Sequence, residues 1–420
     1  MSEKKLPVSD SKMLELANQL PTPFYLYDEK AILDNANYFK KAFSWAPEFC
    51  NFFAVKACPN PSIIARLAKL GFGADCSSLP ELLMAKACGI PGSRMVFTSN
   101  DTPDDEFIEA MKLGAILNLD DITHIEAVKR ACGKLPETLC FRYNPGPDRT
   151  GNAIIGNPVE AKYGVTKDQL IDCYRLAKEG GVKHFGLHTM VASNELEADY
   201  IVETARQLFT LVVKLHDELG INVEFVDLGG GVGIPYKPEQ DRMDLDYVSA
   251  NIKKIYDEMI APLGINLKIT FECGRMITGP YGYLVTKVRH VTHKYKDYVG
   301  VDACMADLMR PALYGSYHHI TVVGKDNQPK DHKYDVTGSL CENNDKFAID
   351  RMLPNVESNE VLVINDAGAH GYAMGFNYNA KLRHAEYLLC SDGSVKMIRR
   401  AETYDDYVKT LRFEGAEVEV

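Results

Sequence analysis

The sequence predicts an α/β protein: a (β/α)8 barrel followed by a mostly antiparallel β domain. Three observations carry that prediction. Eight short apolar segments between residues 49 and 273 alternate with helical patterns, and only the last lacks a long helix after it. These segments are apolar nearly throughout instead of alternating, as parallel strands covered on both faces are. After residue 275 the rhythm changes to short strands with no long helix between them.

Composition sets the bounds. The chain has 420 residues, 46% of them hydrophobic, which allows two or three domains at about 150 residues each. A net charge of −11, from 58 acidic and 47 basic residues, argues against nucleic acid or an anionic membrane as a partner. The polar start Met1-Ser2-Glu3-Lys4-Lys5-Leu6 lacks an apolar signal core, and no run is long and apolar enough to span a bilayer. Eleven cysteines at irregular spacing, with no CxxC pair, fit reduced thiols in a cytoplasmic protein. They fit neither a disulfide framework nor a metal site. Cys50, Cys76 and Cys140 lie in apolar strands and read as small core residues.

In chain order, residues 23–28 read as a strand and 29–46 as a helix. The barrel strands are expected at 49–56, 73–76, 94–99, 115–120, 138–144, 184–190, 223–229 and 267–273. Helices are expected between them, among them 61–70, 79–88, 104–113, 122–132, 167–179, 196–219 and 244–262. Pro59-Asn60-Pro61 ends the first strand, and Ile63, Ile64, Leu67 and Leu70 give the next helix its apolar face. An open doubly wound sheet is the alternative, but eight regular units over about 240 residues suit a closed barrel. Further strands are expected at 282–288, 298–301, 320–323, 361–364 and 386–389. Ser391-Asp392-Gly393-Ser394 is a hairpin turn that returns through 395–398. The expected division is an N-terminal segment 1–35 whose strand joins the β domain, a barrel over 36–275, and a β domain over 276–420.

In such a barrel the active site lies at the carboxyl ends of the strands. The first strand ends in Lys56. Burial there would lower its pKa and leave a neutral amine, a nucleophile for carbonyls; a lysine that merely snorkels to solvent is the plainer reading. Strand six ends in His188 and leads to Ser193. Strand seven ends in Gly229-Gly230-Gly231, whose backbone N–H groups can approach an anion such as phosphate. Strand eight ends in Glu272-Cys273-Gly274-Arg275. An amine and a phosphate cradle at one mouth suit pyridoxal 5′-phosphate. Glu272 beside its ring nitrogen would keep that nitrogen protonated; a salt bridge to Arg275 or another base is the plainer alternative. Ser193 is equally readable as a phosphate contact or as a helix cap.

These residues, taken with further motifs, resemble the fold-type III pyridoxal-phosphate decarboxylases, the alanine-racemase-like barrels, and within them the diaminopimelate decarboxylase branch. The motifs are Phe53-Ala54-Val55-Lys56-Ala57, residues 229–236, and Glu272-Cys273-Gly274-Arg275. Downstream come Val301-Asp302-Ala303, residues 309–315, Gly338-Ser339-Leu340-Cys341-Glu342 and residues 366–371. They run in family order from about residue 22 to the end. The resemblance implies that Lys56 carries the cofactor and that Gly229, Gly230, Gly231, Gly274 and Arg275 hold its phosphate. It implies that Glu272 faces the ring nitrogen, with His188, Ser193 and His370 also at the cofactor. Arg275, Arg310 and Tyr314 would bind the substrate carboxylate that is retained, and Glu342 the distal ammonium. Cys341 would be the proton donor, entering from the other subunit of a homodimer with shared sites.

The sequence also departs from the family pattern. Met190 stands where a second histidine is usual, His370 where a tyrosine is usual, and Cys273 where a proline is usual. The implied reaction is removal of CO2 from meso-2,6-diaminopimelate, giving L-lysine. A sibling decarboxylase acting on ornithine, lysine, arginine or carboxynorspermidine, or a non-catalytic homologue, are the rivals. Arg310 and Tyr314 favour a substrate with a distal carboxylate.

Overall fold

In the computed structural model the described residues are 4–151 and 156–412. In chain order, helix α1 (Asp10–Gln19), strand β1 (Phe24–Asp28) and helix α2 (Glu29–Ala42) come first. Then follow β2 (Cys50–Ala54), α3 (Pro61–Lys69), β3 (Gly73–Cys76), α4 (Leu79–Ala87), β4 (Met95–Phe97), α5 (Asp104–Leu113), β5 (Ile116–Leu119) and α6 (His124–Cys132). Next are β6 (Thr138–Tyr143), α7 (Lys167–Glu179), β7 (His184–Thr189), α8 (Ala198–Leu219), β8 (Val223–Asp227), α9 (Leu245–Met259), β9 (Lys268–Phe271) and the single turn α10 (Arg275–Thr278). The remainder is β10 (Gly282–His293), β11 (Asp297–Val301), α11 (Arg310–Tyr314), β12 (Ile320–Val322), β13 (His332–Thr337), β14 (Lys346–Leu353), β15 (Val361–Ile364), β16 (Ala385–Leu389), β17 (Val395–Arg399) and α12 (Tyr404–Val408).

The chain divides into two compact units. One comprises Leu33–Ile234 and Asp241–Ile277; the other takes the residues up to Ile32, Pro235–Gln240, and those from Thr278 on. The short crossing at Pro235–Gln240 has no counterpart in the division expected from the sequence.

In the first of these units β2 to β9 form a closed parallel barrel. Side-chain alternation decides which residues face its interior. Phe271 points outward: its ring meets Phe39 and Phe43 with centroids 5.2 Å away in each case. These three rings are fully buried, each stabilising by roughly 1.5–3 kcal/mol. The neighbours of Phe271 therefore face inward, and the strand registers carry that parity around the barrel. At the carboxyl ends the inward residues include Asp75, Arg142, His188, Asp227 and Glu272, all buried. Two residues earlier on the same strands they are Gly73, Cys140, Gly186, Phe225 and Thr270.

In the other unit a nine-stranded sheet runs in the order β14-β13-β11-β10-β1-β16-β17, with β15 paired to β10 and β12. Among the described residues β1–β16 and β11–β13 pair in parallel and the remaining pairs are antiparallel. The N-terminal strand β1 lies between β10 and β16, as the resemblance implied. The hairpin turn after β16 closes with the Cys390 amide donating to Ser394 O at 2.7 Å. Two strands, β13 and β14, lie where the sequence reading placed none. Charged residues interrupt both, so their apolar signal is weak although each buries three residues. Helix α1 was not read from the sequence either; it is capped by Ser9, whose Oγ accepts from the Lys12 amide. Among the described residues no helix is long and apolar enough to cross a membrane.

Candidate active site

The upper mouth of the barrel collects most of the residues singled out from the sequence. Strand β2 stops at Ala54, and Lys56 sits in a 3-10 turn, Val55–Ala57, rather than in the strand. Val55 and Ala57 are buried, while half of the Lys56 side chain is exposed. Its Nζ donates to Asp75 Oδ2 at 3.0 Å. Desolvation pulls its pKa down, but the carboxylates of Asp75 and Glu272 outweigh that and raise it above the ordinary lysine value. This corrects the expectation of a neutral amine: the turn places Lys56 within reach of acids that burial on an apolar strand end does not foretell.

Glu272 does not pair with Arg275 through any bond that the structure gives. Its Oε2 meets His188 Nε2 at 3.1 Å, with both side chains buried. Desolvation raises the Glu272 pKa, and the imidazolium, Lys56 and Arg142 reverse this, holding it well below the usual carboxylate range. His188 is likewise desolvated, yet Glu272 lifts its pKa above the ordinary value. Asp227 has a ligand oxygen within 4.8 Å of donor atoms on both. Burial and then the Glu272 charge push its carboxyl up to about 7. The cluster thus favours the anion on Glu272 and the cation on His188, and shifts the Asp227 carboxyl up to about 7.

Asp227 also ties this cluster to the glycine loop, its Oδ1 accepting from the Gly229 amide at 2.8 Å. Gly229 and Gly231 have φ of 69° and 89°, which L side chains rarely adopt. A β-carbon on Gly231 would stand 2.7 Å from Ala192 O, and one on Gly230 would stand 2.9 Å from Glu272 O. The Gly230 amide points at Met190 Sδ, 3.3 Å away, a weak acceptor. Met190 therefore packs on the glycine loop. Arg275 is buried and its Nη2 reaches Ser193 Oγ at 3.4 Å. A β-carbon on Gly274 would come within 2.6 Å of Ala57 Cβ, so that glycine lets the end of β9 close on the Lys56 turn.

The other sequence candidates lie in the second unit. Arg310 opens α11, is buried, and stacks over the Tyr236 ring at 5.0 Å while donating to Ser316 Oγ at 3.2 Å. Tyr314, at the other end of that helix, is exposed. On the loop between β13 and β14 Cys341 is exposed and Glu342 half-buried. Asp345 builds that loop: its carboxylate accepts from the Leu340 amide at 2.8 Å and the Met305 amide at 2.6 Å. The Cys341 amide donates to Asn379 Oδ1 at 2.8 Å. His370 is half-buried with φ of 55°.

Sequence reasoning missed Asp75, Arg142, Asp227 and Asp345. The first three carried a signal: charged residues inside otherwise apolar strands, costly unless they meet partners. Arg142 Nε donates to Asp120 Oδ1 at 2.6 Å, with both residues buried.

This mouth fits pyridoxal 5′-phosphate. Among the described residues the buried atoms Glu272 Oε1, His188 Nδ1, Asp227 Oδ2 and Asp75 Oδ1 have no hydrogen-bond partner, and such groups call for one. An ionised Glu272 suits a pyridinium N–H, a lysine suits an aldehyde, and a side-chain-free amide loop suits a phosphate.

Comparison with known proteins agrees. Residues 29–279 match the family described as "Pyridoxal-dependent decarboxylase, pyridoxal binding domain". The chain is 40% identical over 404 residues to Protein TabA of Pseudomonas amygdali pv. tabaci, covering 96% of this chain and 94% of that one. It is 33% identical over 410 residues to a diaminopimelate decarboxylase of Methanothermobacter thermautotrophicus, covering 96% and 95%. A crystal structure of diaminopimelate decarboxylase from M. jannaschii in co-complex with L-lysine superposes with a TM-score of 0.87 at 32% identity, covering 96% of this chain and 94% of that one. The acid-flanked lysine, the glycine loop and these full-length similarities lead to one conclusion: the chain belongs to the pyridoxal-dependent decarboxylases.

Proposed function

We propose that this chain removes CO2 from meso-2,6-diaminopimelate to give L-lysine. The observation that carries the reading is the half-exposed Lys56 with the buried His188, Asp227 and Glu272 beside a glycine loop, in a chain similar over nearly its whole length to diaminopimelate decarboxylases. Pyridoxal 5′-phosphate, when bound, supplies an aldehyde that condenses with an amine and a protonated ring that accepts the electron pair of the broken bond.

The residues divide the remaining work. Lys56 Nζ anchors the cofactor, and Asp75 orients that nitrogen. The glycine loop of Gly229, Gly230 and Gly231, with Gly274, Arg275 and Ser193, holds the phosphate. Glu272 keeps the ring nitrogen protonated, and His188 keeps Glu272 ionised. Arg275, Arg310 and Tyr314 hold the carboxylate that stays, Glu342 takes the distal ammonium, and His370 faces the cofactor. Cys341 Sγ delivers a proton to the carbon that has lost CO2. We assign that thiol to the partner subunit of a homodimer with shared sites. Eleven cysteines, none in a disulfide, support a cytoplasmic location.

The higher identity to Protein TabA favours keeping a sibling substrate in view. One experiment separates the readings: CO2 and amine products are measured with diaminopimelate, ornithine, lysine, arginine and carboxynorspermidine. L-lysine from diaminopimelate is expected. CO2 only from another substrate points to a sibling enzyme. No CO2 from any substrate, with borohydride still fixing the cofactor to Lys56, points to a non-catalytic homologue. Mixing Lys56→Ala with Cys341→Ala protein tests the dimer. Recovery of up to about a quarter of wild-type activity is expected from shared sites, and none, despite proven subunit exchange, rejects them.

A further inference from the structure

A cavity of about 950 Å³ opens at the amino-terminal end of the barrel, opposite the mouth that holds Lys56. Its floor is Cys50, Phe52, Ile116 and Phe225, and Arg94 and Lys134 stand on its rim. Its size is that of a small-molecule site. Two glycines keep it open. The Phe52 ring lies over Gly73 of the neighbouring strand and the Phe225 ring over Gly186, so closely that a β-carbon at either glycine would collide with the ring. Both rings therefore lie along the barrel wall.

The rim is electrically uneven. The acids that line the cavity are already engaged: Glu48 pairs with Lys268 at 2.7 Å and Glu137 with Lys183 at 2.6 Å, and Glu224 meets the His184 ring at 2.5 Å. Arg94 and Lys134 have no carboxylate partner among the described residues. The Arg94 guanidinium donates through Nη2 to the Cys50 thiol, 3.8 Å away. An aromatic and aliphatic floor with two uncommitted cations above it selects an anion with a flat apolar body.

We propose that this cavity binds a small organic anion with an aromatic or branched apolar body, its acid group on Arg94 and Lys134 and its body on Phe52 and Phe225. The site is separate from the decarboxylation chemistry, and its test does not depend on that reading.

The probe is 8-anilinonaphthalene-1-sulfonate, titrated by fluorescence into the full-length protein as purified, beside N-phenyl-1-naphthylamine, which has the same apolar body without the acid. Saturable binding of one sulfonate probe per chain is expected, with the uncharged analogue at least about tenfold weaker, as loss of a charge-assisted contact implies. Arg94→Gln should weaken the sulfonate about tenfold. Ser93 and Lys134 are exposed on the rim, so Ser93→Trp and Lys134→Gln leave the fold intact even where Arg94→Gln does not. Ser93→Trp should abolish the saturable phase, and Lys134→Gln should weaken it. Equal affinity for the charged and uncharged probes, or sulfonate binding unchanged in both Ser93→Trp and Lys134→Gln, overturns the proposal.

Discussion

The two ends of the same eight strands do opposite work. At the carboxyl ends the inward positions are Asp75, Arg142, His188, Asp227 and Glu272; one inward position earlier they are Gly73, Cys140, Gly186, Phe225 and Thr270. A rise of two residues, about 6.6 Å along a strand, separates a cluster of charges from an apolar floor. The upper charges stabilise one another only as a set, because each alone would be costly in a buried site. The lower residues hold one another by shape. Substitutions at the upper end should therefore change chemistry and titration, and substitutions at the lower end should change stability and leave kcat unchanged.

The largest effect is expected at Glu272. Glu272→Gln removes the anion opposite His188 and the group that would hold the ring nitrogen protonated. We expect kcat to fall on the order of 10²–10³-fold while borohydride still fixes the cofactor to Lys56. A kcat within threefold of wild type would remove Glu272 from the chemistry.

Asp75→Asn comes next and concerns protonation. The Asp75 carboxylate is the strongest of the charges that raise the Lys56 pKa, and burial opposes it. Without the carboxylate the amine should become neutral at lower pH. Capture of pyridoxal phosphate by the cofactor-free variant, followed by its absorbance, should begin at lower pH than in wild type. The same onset in both proteins would mean that Asp75 does not govern Lys56.

Phe225→Ala probes the lower end. The ring borders a cavity, so the loss should lie near the low end for such truncations, about 3 kcal/mol by denaturant unfolding. The kcat of the folded fraction should stay within twofold. A large fall in kcat would show that the two ends are not independent.

The smallest effect is expected for Asp227→Asn. Asp227 keeps its proton up to about 7 in the folded chain, against an ordinary 3.8. Folding therefore takes up a proton between those values, and stability from this group declines as pH rises through them, then levels off. Asparagine carries no such proton and can still accept from the Gly229 amide. The variant should match wild type at acid pH and unfold about 2–4 °C higher near pH 8. A lower unfolding temperature near pH 8 would mean that Asp227 is ionised in the folded state.

The barrel was legible because each strand-and-helix unit carries its own local signal: a short apolar run, a break such as Pro59-Asn60-Pro61, then a helical stripe such as Ile63, Ile64 and Leu67. Strands β13 and β14 were not legible, because charged residues interrupt their apolar positions while the backbone pairing continues regardless. Lys56, Glu272 and the glycine loop stood out as chemical types at strand ends. Their pairing did not: Glu272 meets His188, 84 positions away in the chain, and not Arg275, three positions away.

By itself, then, the sequence determined the order of the elements, the closed barrel and the family, because periodicity and motif are local properties of the chain. Only the tertiary structure decided that the Lys56 pKa is raised by Asp75, that burial and Glu272 push the Asp227 carboxyl up to about 7, and that the lower end of the barrel stays open between two rings laid over glycines. Charge state and empty volume depend on which side chains the closed sheet brings face to face, and that is a matter of strand register across the barrel, which no stretch of the chain carries alone.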